Sequence, residues 1–233
     1  DAALAAGARA VLLCNPHNPL GLVHAREELA ELAEIVERHG AHVVSDEIHA
    51  PLTHHGATFT PYLSVSDAAR RHGVAAASGS KAFNLAGLKA AMFVVDSEPM
   101  AQWLATVPDA VSYRTGIMGL LATQEGFRHA TDWLDATIEV IESNIALLER
   151  QLADKLPQVR FRRGSATYLA WLDMRDLGWG DDPAEHAAER AKVALSSGPT
   201  FGAGGAGFAR MNLACSPDTI VEAVDRLSSA ARG

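Results

Sequence analysis

Four short segments constrain this chain more than any other feature: AVLLC (Ala10–Cys14), AHVVS (Ala41–Ser45), VAAAS (Val74–Ser78) and AAMFVVD (Ala90–Asp96). Each is continuous and apolar on both faces, the pattern of strands buried in a sheet that is covered on two sides. Between the first two lies AREELAELAEIVERH (Ala25–His39), which puts Leu29, Leu32 and Val36 on one helical face and has Gly40 as its stop. A shorter helix at Ser66–His72 precedes the third segment. Strands that alternate with helices predict a largely parallel α/β sheet. A long helix over Thr131–Lys155 follows. After Pro157, VRFRR and TYLAWLDM read as strands of a smaller sheet. PAEHAAERAKVALSS reads as a helix with Pro183 in its first turn, GFARMNLAC as a strand and PDTIVEAVDRL as a closing helix. The sequence predicts a large α/β domain over 1–130, a connecting helix over 131–155 and a small α+β domain over 156–233.

Composition narrows the function classes. The 233 residues are 48% hydrophobic, enough to bury one or two cores. A net charge of −8 without a Lys/Arg cluster provides no basic face for nucleic acid. No apolar run reaches the roughly 18–20 residues of a membrane span. Cys14 and Cys215 make no disulfide framework, and a reduced, cytoplasmic setting is expected. The chain starts without methionine and enters a strand almost at once, as a chain cut within a fold would.

In an open α/β sheet, ligands gather at the carboxyl ends of the strands. Three polar clusters fall there: Asn15–Gly21 after the first strand, Ser45, Asp46, Glu47 and His49 after the second, and Ser78, Ser80 and Lys81 after the third. A partly desolvated lysine has a lowered pKa and serves as nucleophile or base. Hydroxyls and backbone N–H groups around it hold phosphate. A carboxylate in the same site stabilises a protonated ring nitrogen. Together these are the parts that bind pyridoxal phosphate. Other patterns carry less. His49, His54 and His55 beside Asp46 and Glu47 fit no metal-ligand spacing, and no metal is expected. GAGGAG (Gly202–Gly207) matches G-x-G-x-x-G, but a strand pattern follows it where the dinucleotide fingerprint needs a helix. It reads as a flexible loop leading to Arg210. The acidic run Glu27, Glu28, Glu31 and Glu34 reads as a solvated face.

Four phrases, in order and across essentially the whole chain, resemble a known family: CNPHNPLG, SDEIHA, SGSKAFNLAGLK and FARMNLAC. They are similar to the fold-type I pyridoxal-phosphate enzymes of the class I/II aminotransferase group, and within it to the MalY/PatB-like cystathionine β-lyases, of which TYLAWLD is also typical. The resemblance implies the aspartate aminotransferase-like fold, with a mostly parallel large domain and a small α+β C-terminal domain. It implies that the chain corresponds to the C-terminal two-thirds of such an enzyme, without the N-terminal segment that usually supplies a phosphate loop, a stacked aromatic ring and dimer contacts. Lys81 would form the Schiff base to the cofactor, Asp46 would face the pyridine nitrogen, and Asn18 would hold the ring 3′-oxygen. Ser78 and Ser80 would reach the phosphate. Lys89 stands eight residues after the lysine, where many aminotransferases have arginine, and would neutralise phosphate as a point charge. His49 replaces a common tyrosine near the ring. Arg210 would clamp the substrate α-carboxylate through its planar fork, with Asn15 as a second candidate. The pair Ala50-Pro51 departs from the branch's usual Ala-Asp.

The activity so implied is β-elimination on a cysteine-derived amino acid, giving thiol, pyruvate and ammonia, in a homodimer. An aminotransferase with the same lysine and cofactor is the alternative. A third reading is a non-catalytic remnant, or a lyase domain excised from a larger biosynthetic protein.

Overall fold

A computed structural model describes residues 1–232, which divide into two compact units. The first comprises Asp1–His17 and Leu22–Asp135, the second Asn18–Gly21 and the chain from Ala136 onward.

In the first unit, α1 (Ala2–Ala5) leads into β1 (Ala10–Cys14), followed by α2 (Arg26–Arg38), β2 (His42–Asp46), α3 (Asp67–His72), β3 (Gly73–Ala77) and β4 (Met92–Val94). Helices α4 (Glu98–Leu104), α5 (Asp109–Ser112) and α6 (Ile117–His129) complete it. The sheet runs β1-β2-β3-β4. The first three strands are parallel, with Cys14 opposite Asp46 and Asp46 opposite Ala76. β4 is shorter than the apolar run suggests and antiparallel. Ala25 caps α2 without a side-chain acceptor, so the cap rests on Glu28, whose carboxylate accepts the Ala25 N–H at 2.9 Å. At its other end Gly40 takes the left-handed conformation, φ +57°.

Leu29, Ala33 and Val36 of α2 pack with Val43 of β2, Tyr62, and Ala68 and Ala69 of α3 into one buried cluster. Tyr62 is fully buried against the start of β3, where a Cβ on Gly73 would lie 2.9 Å from its ring. Only glycine fits that approach. The expectation that every strand is buried on both faces fails at the sheet's margins. Leu12 of β1 is 80% exposed and Phe93 of β4 58%, because nothing among the described residues covers the second face of these two outermost strands.

The 25-residue α7 (Thr131–Lys155) belongs to the second unit from Ala136. β5 (Arg160–Phe161), β6 (Leu169–Asp173), β7 (Ser196–Ser197) and β8 (Phe208–Asn212) form an antiparallel sheet in the order β5-β6-β8-β7. The predicted helix over 183–197 ends early. α8 (Pro183–His186) runs into a π turn over Ala187–Ala191. Lys192 then turns left-handed at φ +57°, and the Val193 N–H closes the turn on the Ala187 carbonyl at 3.1 Å. Ser196 and Ser197 leave the helix pattern to pair with Arg210 and Ala209. α9 (Pro217–Arg232) closes the unit, with Pro217 in the first turn as its missing N–H allows.

Ile138, Ile141, Ile145, Leu148 and Leu152 bury one face of α7, and Ile220, Val224 and Leu227 one face of α9. Among them sits buried Asn144, whose amide donates to the carbonyls of Leu213 and Cys215, both at 2.9 Å. Among the described residues, no helix is long and apolar enough to cross a membrane. Asn144→Ala leaves two carbonyls without their donor, so it is expected to cost about 1–3 kcal/mol in urea unfolding. A change under a few tenths would mean that water replaces the amide.

Candidate functional site

The parallel pairing of β1, β2 and β3 carries past the strand ends. The Asn15 N–H donates to the Asp46 carbonyl at 3.0 Å, and the Glu47 N–H to the Ala76 carbonyl at 2.9 Å. The loops after all three strands therefore begin on one edge of the sheet. Asp46, half-buried, accepts the Ile48 N–H on Oδ1 at 3.1 Å. Its neighbour Glu47 points to the other face and is buried. Glu47 Oε1 accepts from the Ser45 hydroxyl at 2.9 Å and from the Tyr62 N–H at 2.8 Å. Burial lifts the Glu47 carboxyl above the ordinary glutamate range, the Tyr62 and Ser45 hydrogen bonds pull it back in part, and the Asp46 charge adds to the rise. His49 and His54 are buried and His55 is exposed. Among the described residues, no three His, Cys, Asp or Glu side chains gather as a metal site.

Lys81 is half-buried in the loop after β3. Two backbone bonds wrap that loop: Phe83 N–H to the Gly79 carbonyl at 2.9 Å and Leu85 N–H to the Ser80 carbonyl at 3.0 Å. Ser78 is buried, donates to the Ala90 carbonyl at 2.6 Å and accepts the Ser80 N–H at 3.0 Å. The two hydroxyls lie 2.7 Å apart, and the Ser80 hydroxyl also reaches the Ala90 carbonyl at 3.4 Å. These serines lace the lysine loop to the segment before β4. Lys89 is exposed and left-handed, φ +50°. Asn15 has no exposed surface, and both ends of its amide are engaged. Oδ1 accepts the His24 N–H at 3.1 Å, and Nδ2 donates to the Thr60 carbonyl at 3.4 Å. The structure thus ties Asn15 to the segments at His24 and Thr60.

In the second unit, Arg210 of β8 is half-buried and held on three sides. Nη1 donates to Asn18 Oδ1 at 2.9 Å and Nη2 to the Ser196 hydroxyl at 3.1 Å, and the guanidinium lies 5.0 Å from the centre of the Phe201 ring. The Phe201 ring meets Trp171 edge-on at 5.3 Å. Burial raises the Tyr168 phenol above the ordinary tyrosine range, and the Arg210 charge pulls it back in part. Sequence reasoning missed Ser196, Phe201 and Tyr168. Ser196 was hidden inside the predicted helix, while TYLAWLD already contained Tyr168. In the glycine segment leading to Arg210, Gly202 and Gly204 are open, while Gly205 and Gly207 are buried. A Cβ on Gly205 would lie 1.9 Å from the Gly198 carbonyl oxygen, and one on Gly198 2.2 Å from that of Phe208. Two backbones touch there, and glycine is what lets them. A surface concavity of about 710 Å³ elsewhere in this unit is lined by Arg190, Asp218, Glu222, Asp225 and Arg226, and holds none of these residues.

A family model described as aminotransferase class I and II matches residues 1–227. A protein of Mycobacterium tuberculosis provisionally named cystathionine beta-lyase is 45% identical, covering 94% of this chain and 57% of its own length. Cystathionine beta-lyase PatB of Bacillus subtilis is 37% identical, covering 94% and 57%. A crystal structure of a Corynebacterium diphtheriae protein, provisionally a PLP-dependent beta-cystathionase, superposes with a TM-score of 0.93 at 37% identity, covering 99% of this chain and 61% of that one. The chain thus spans less than two thirds of the length of each.

The raised Glu47 carboxyl fixes the sign of a pH effect. The folded state holds this proton more tightly than the unfolded state, so its contribution to stability is full at low pH. It is lost as pH rises from the ordinary glutamate value through the raised one. Glu47→Gln is expected to remove that falling component when urea midpoints are measured across the window. An unchanged slope would assign it to another group.

Proposed function

We propose, from the premise that this chain belongs to the aminotransferase class I and II family, that it forms the core of a pyridoxal 5′-phosphate-dependent carbon–sulfur lyase. The observation that carries the reading is the convergence of the Asp46 turn and the Lys81 loop on one sheet edge, in a chain 37–45% identical to proteins named cystathionine beta-lyase. The donor set suits the cofactor. A half-buried amine, a carboxylate in a tight turn, hydroxyls beside the amine and a nearby exposed lysine match an aldehyde, a ring nitrogen and a phosphate. When bound, the cofactor supplies an electron sink for charge released at the substrate Cα.

The chain's residues do the rest. Lys81 Nζ would hold the cofactor's aldehyde and, as a free amine, would take the Cα proton of the substrate. Asp46 keeps a proton on the ring nitrogen. The Asn18 amide would hold the ring 3′-oxygen; its Oδ1 accepts from Arg210. Arg210 grips the α-carboxylate through its planar fork. Ser80 and Lys89 serve the phosphate, with Ser78 bracing the loop from inside. His49 packs near the ring. With the Cα proton on Lys81, a thiolate would leave from Cβ, and addition of water would yield pyruvate and ammonia. The substrate is a small cysteine-derived amino acid. We further place the enzyme in the cytoplasm as a homodimer. Cys14 and Cys215 are in no disulfide, and Ile117 and Met118 of α6 offer apolar surface, 66% and 65% exposed.

The matching family also contains aminotransferases, which share the first proton transfer and return the proton to the cofactor carbon. The products separate the two readings. With cystathionine and no keto acid, pyruvate and thiol are expected in equal amounts. Turnover that depends on an added keto acid, without pyruvate from cystathionine, would assign the aminotransferase reaction.

A further inference from the structure

Asp46 ends β2 and Glu47 follows it, and because Glu47 keeps the strand's pairing with Ala76 the two side chains stand on opposite faces, Asp46 half-buried and Glu47 buried. Ser45 and Glu47 share the buried face with Tyr62. A carboxylate there costs desolvation that an apolar residue would avoid. What distinguishes it is the pair of donors, the Ser45 hydroxyl and the Tyr62 N–H, that meet on the single oxygen Oε1 at 2.9 and 2.8 Å. The main chain of Glu47 is fixed as well. Its N–H donates to the Ala76 carbonyl and its carbonyl accepts the Ala50 N–H, both at 2.9 Å. The residue after Asp46 is therefore pinned by its side chain to the turn at Tyr62 and by its main chain to β3, five residues before Lys81. The Asp46 carboxylate accepts from Ile48 inside the same turn, so its aim follows the turn's.

We propose that Glu47 is a positioning residue for Asp46: by gathering Ser45 and Tyr62 onto Oε1, it holds the turn that sets where the Asp46 carboxylate points. This rests on the reading of Asp46 as the partner of the cofactor's ring nitrogen. Asp46 makes the contact, and Glu47 acts behind it on the buried face. Both bonds need an acceptor at Oε1 and neither needs a charge, so a glutamine oxygen can take its place.

The test compares Glu47→Ala, Glu47→Gln, Ser45→Ala and Asp46→Ala in the protein loaded with pyridoxal phosphate. Three quantities are read: the visible absorption of the bound cofactor, its dissociation constant, and exchange of the substrate Cα proton with deuterium oxide. Glu47→Ala is expected to shift the absorption and slow exchange roughly ten- to a hundred-fold, the effect of a small misplacement at a reacting centre. Glu47→Gln should stay near the unsubstituted protein. Ser45→Ala, which removes one donor, should fall between, and it carries the comparison with Glu47→Gln if Glu47→Ala does not fold. A Glu47→Ala protein that melts lower but keeps its absorption and exchange rate overturns the proposal, as does a glutamine variant as damaged as the alanine one. If Asp46→Ala is harmless, the reading of Asp46 fails and this inference falls with it. If Asp46→Ala is damaging while Glu47→Ala is harmless, this inference alone fails.

Discussion

The first unit depends on the parallel pairing of three short strands and on its continuation by two hydrogen bonds beyond their ends. Parallel strands place equivalent ends together, and the bonds from Asn15 to Asp46 and from Glu47 to Ala76 hold the first residues of the loops in that alignment. Everything else in the unit serves this edge. The α2–α3 cluster buries one face of the sheet, Tyr62 fills the space beneath β3, and Gly73 leaves room for it. The polar residues then stand where the backbone has nothing further to pair with, and their side chains finish the pairing. Asp46 takes the Ile48 N–H, Glu47 the Tyr62 N–H and Ser78 the Ser80 N–H.

The second unit solves a different problem, which is how to hold a guanidinium at a fixed aim on a strand. Arg210 is flanked across the sheet by Trp171 and Ser196, bonded to Ser196 and Asn18 and faced by Phe201. Phe201 belongs to a turn that can approach β8 closely because Gly198 and Gly205 bring two backbones into contact. A planar fork held in this way has little freedom left to lose, which distinguishes arginine from the more flexible lysine.

Much of this was legible in the sequence, for reasons that differ from element to element. The strands β1, β2 and β3 announce themselves because burial on a covered sheet demands unbroken apolar runs. α2 does so because one buried face imposes helical spacing. Lys81, Asp46 and Arg210 stood out because their flanking phrases recur in a family. What was not legible depends on contacts distant in sequence. The residues KVALSS continue a helical pattern, but pairing with Arg210 draws Ser196 and Ser197 into a strand. The reversal of β4 leaves no mark in its composition. Asn15 and Ser78 are polar residues after strands, and their partners, His24, Thr60 and Ala90, are found only in the fold. The Glu47 network joins residues fifteen apart through a main-chain N–H, a donor that every residue except proline has and that no sequence pattern singles out.

The central claim is that Lys81 is the lysine that holds the cofactor. Its most direct test is to add pyridoxal phosphate to the protein, reduce with borohydride and map the labelled peptide. Label on Lys81, preceded by a visible absorption band that reduction abolishes, is the predicted result. Label on Lys89 or another lysine, or stable cofactor binding with Lys81 unlabelled, would contradict it.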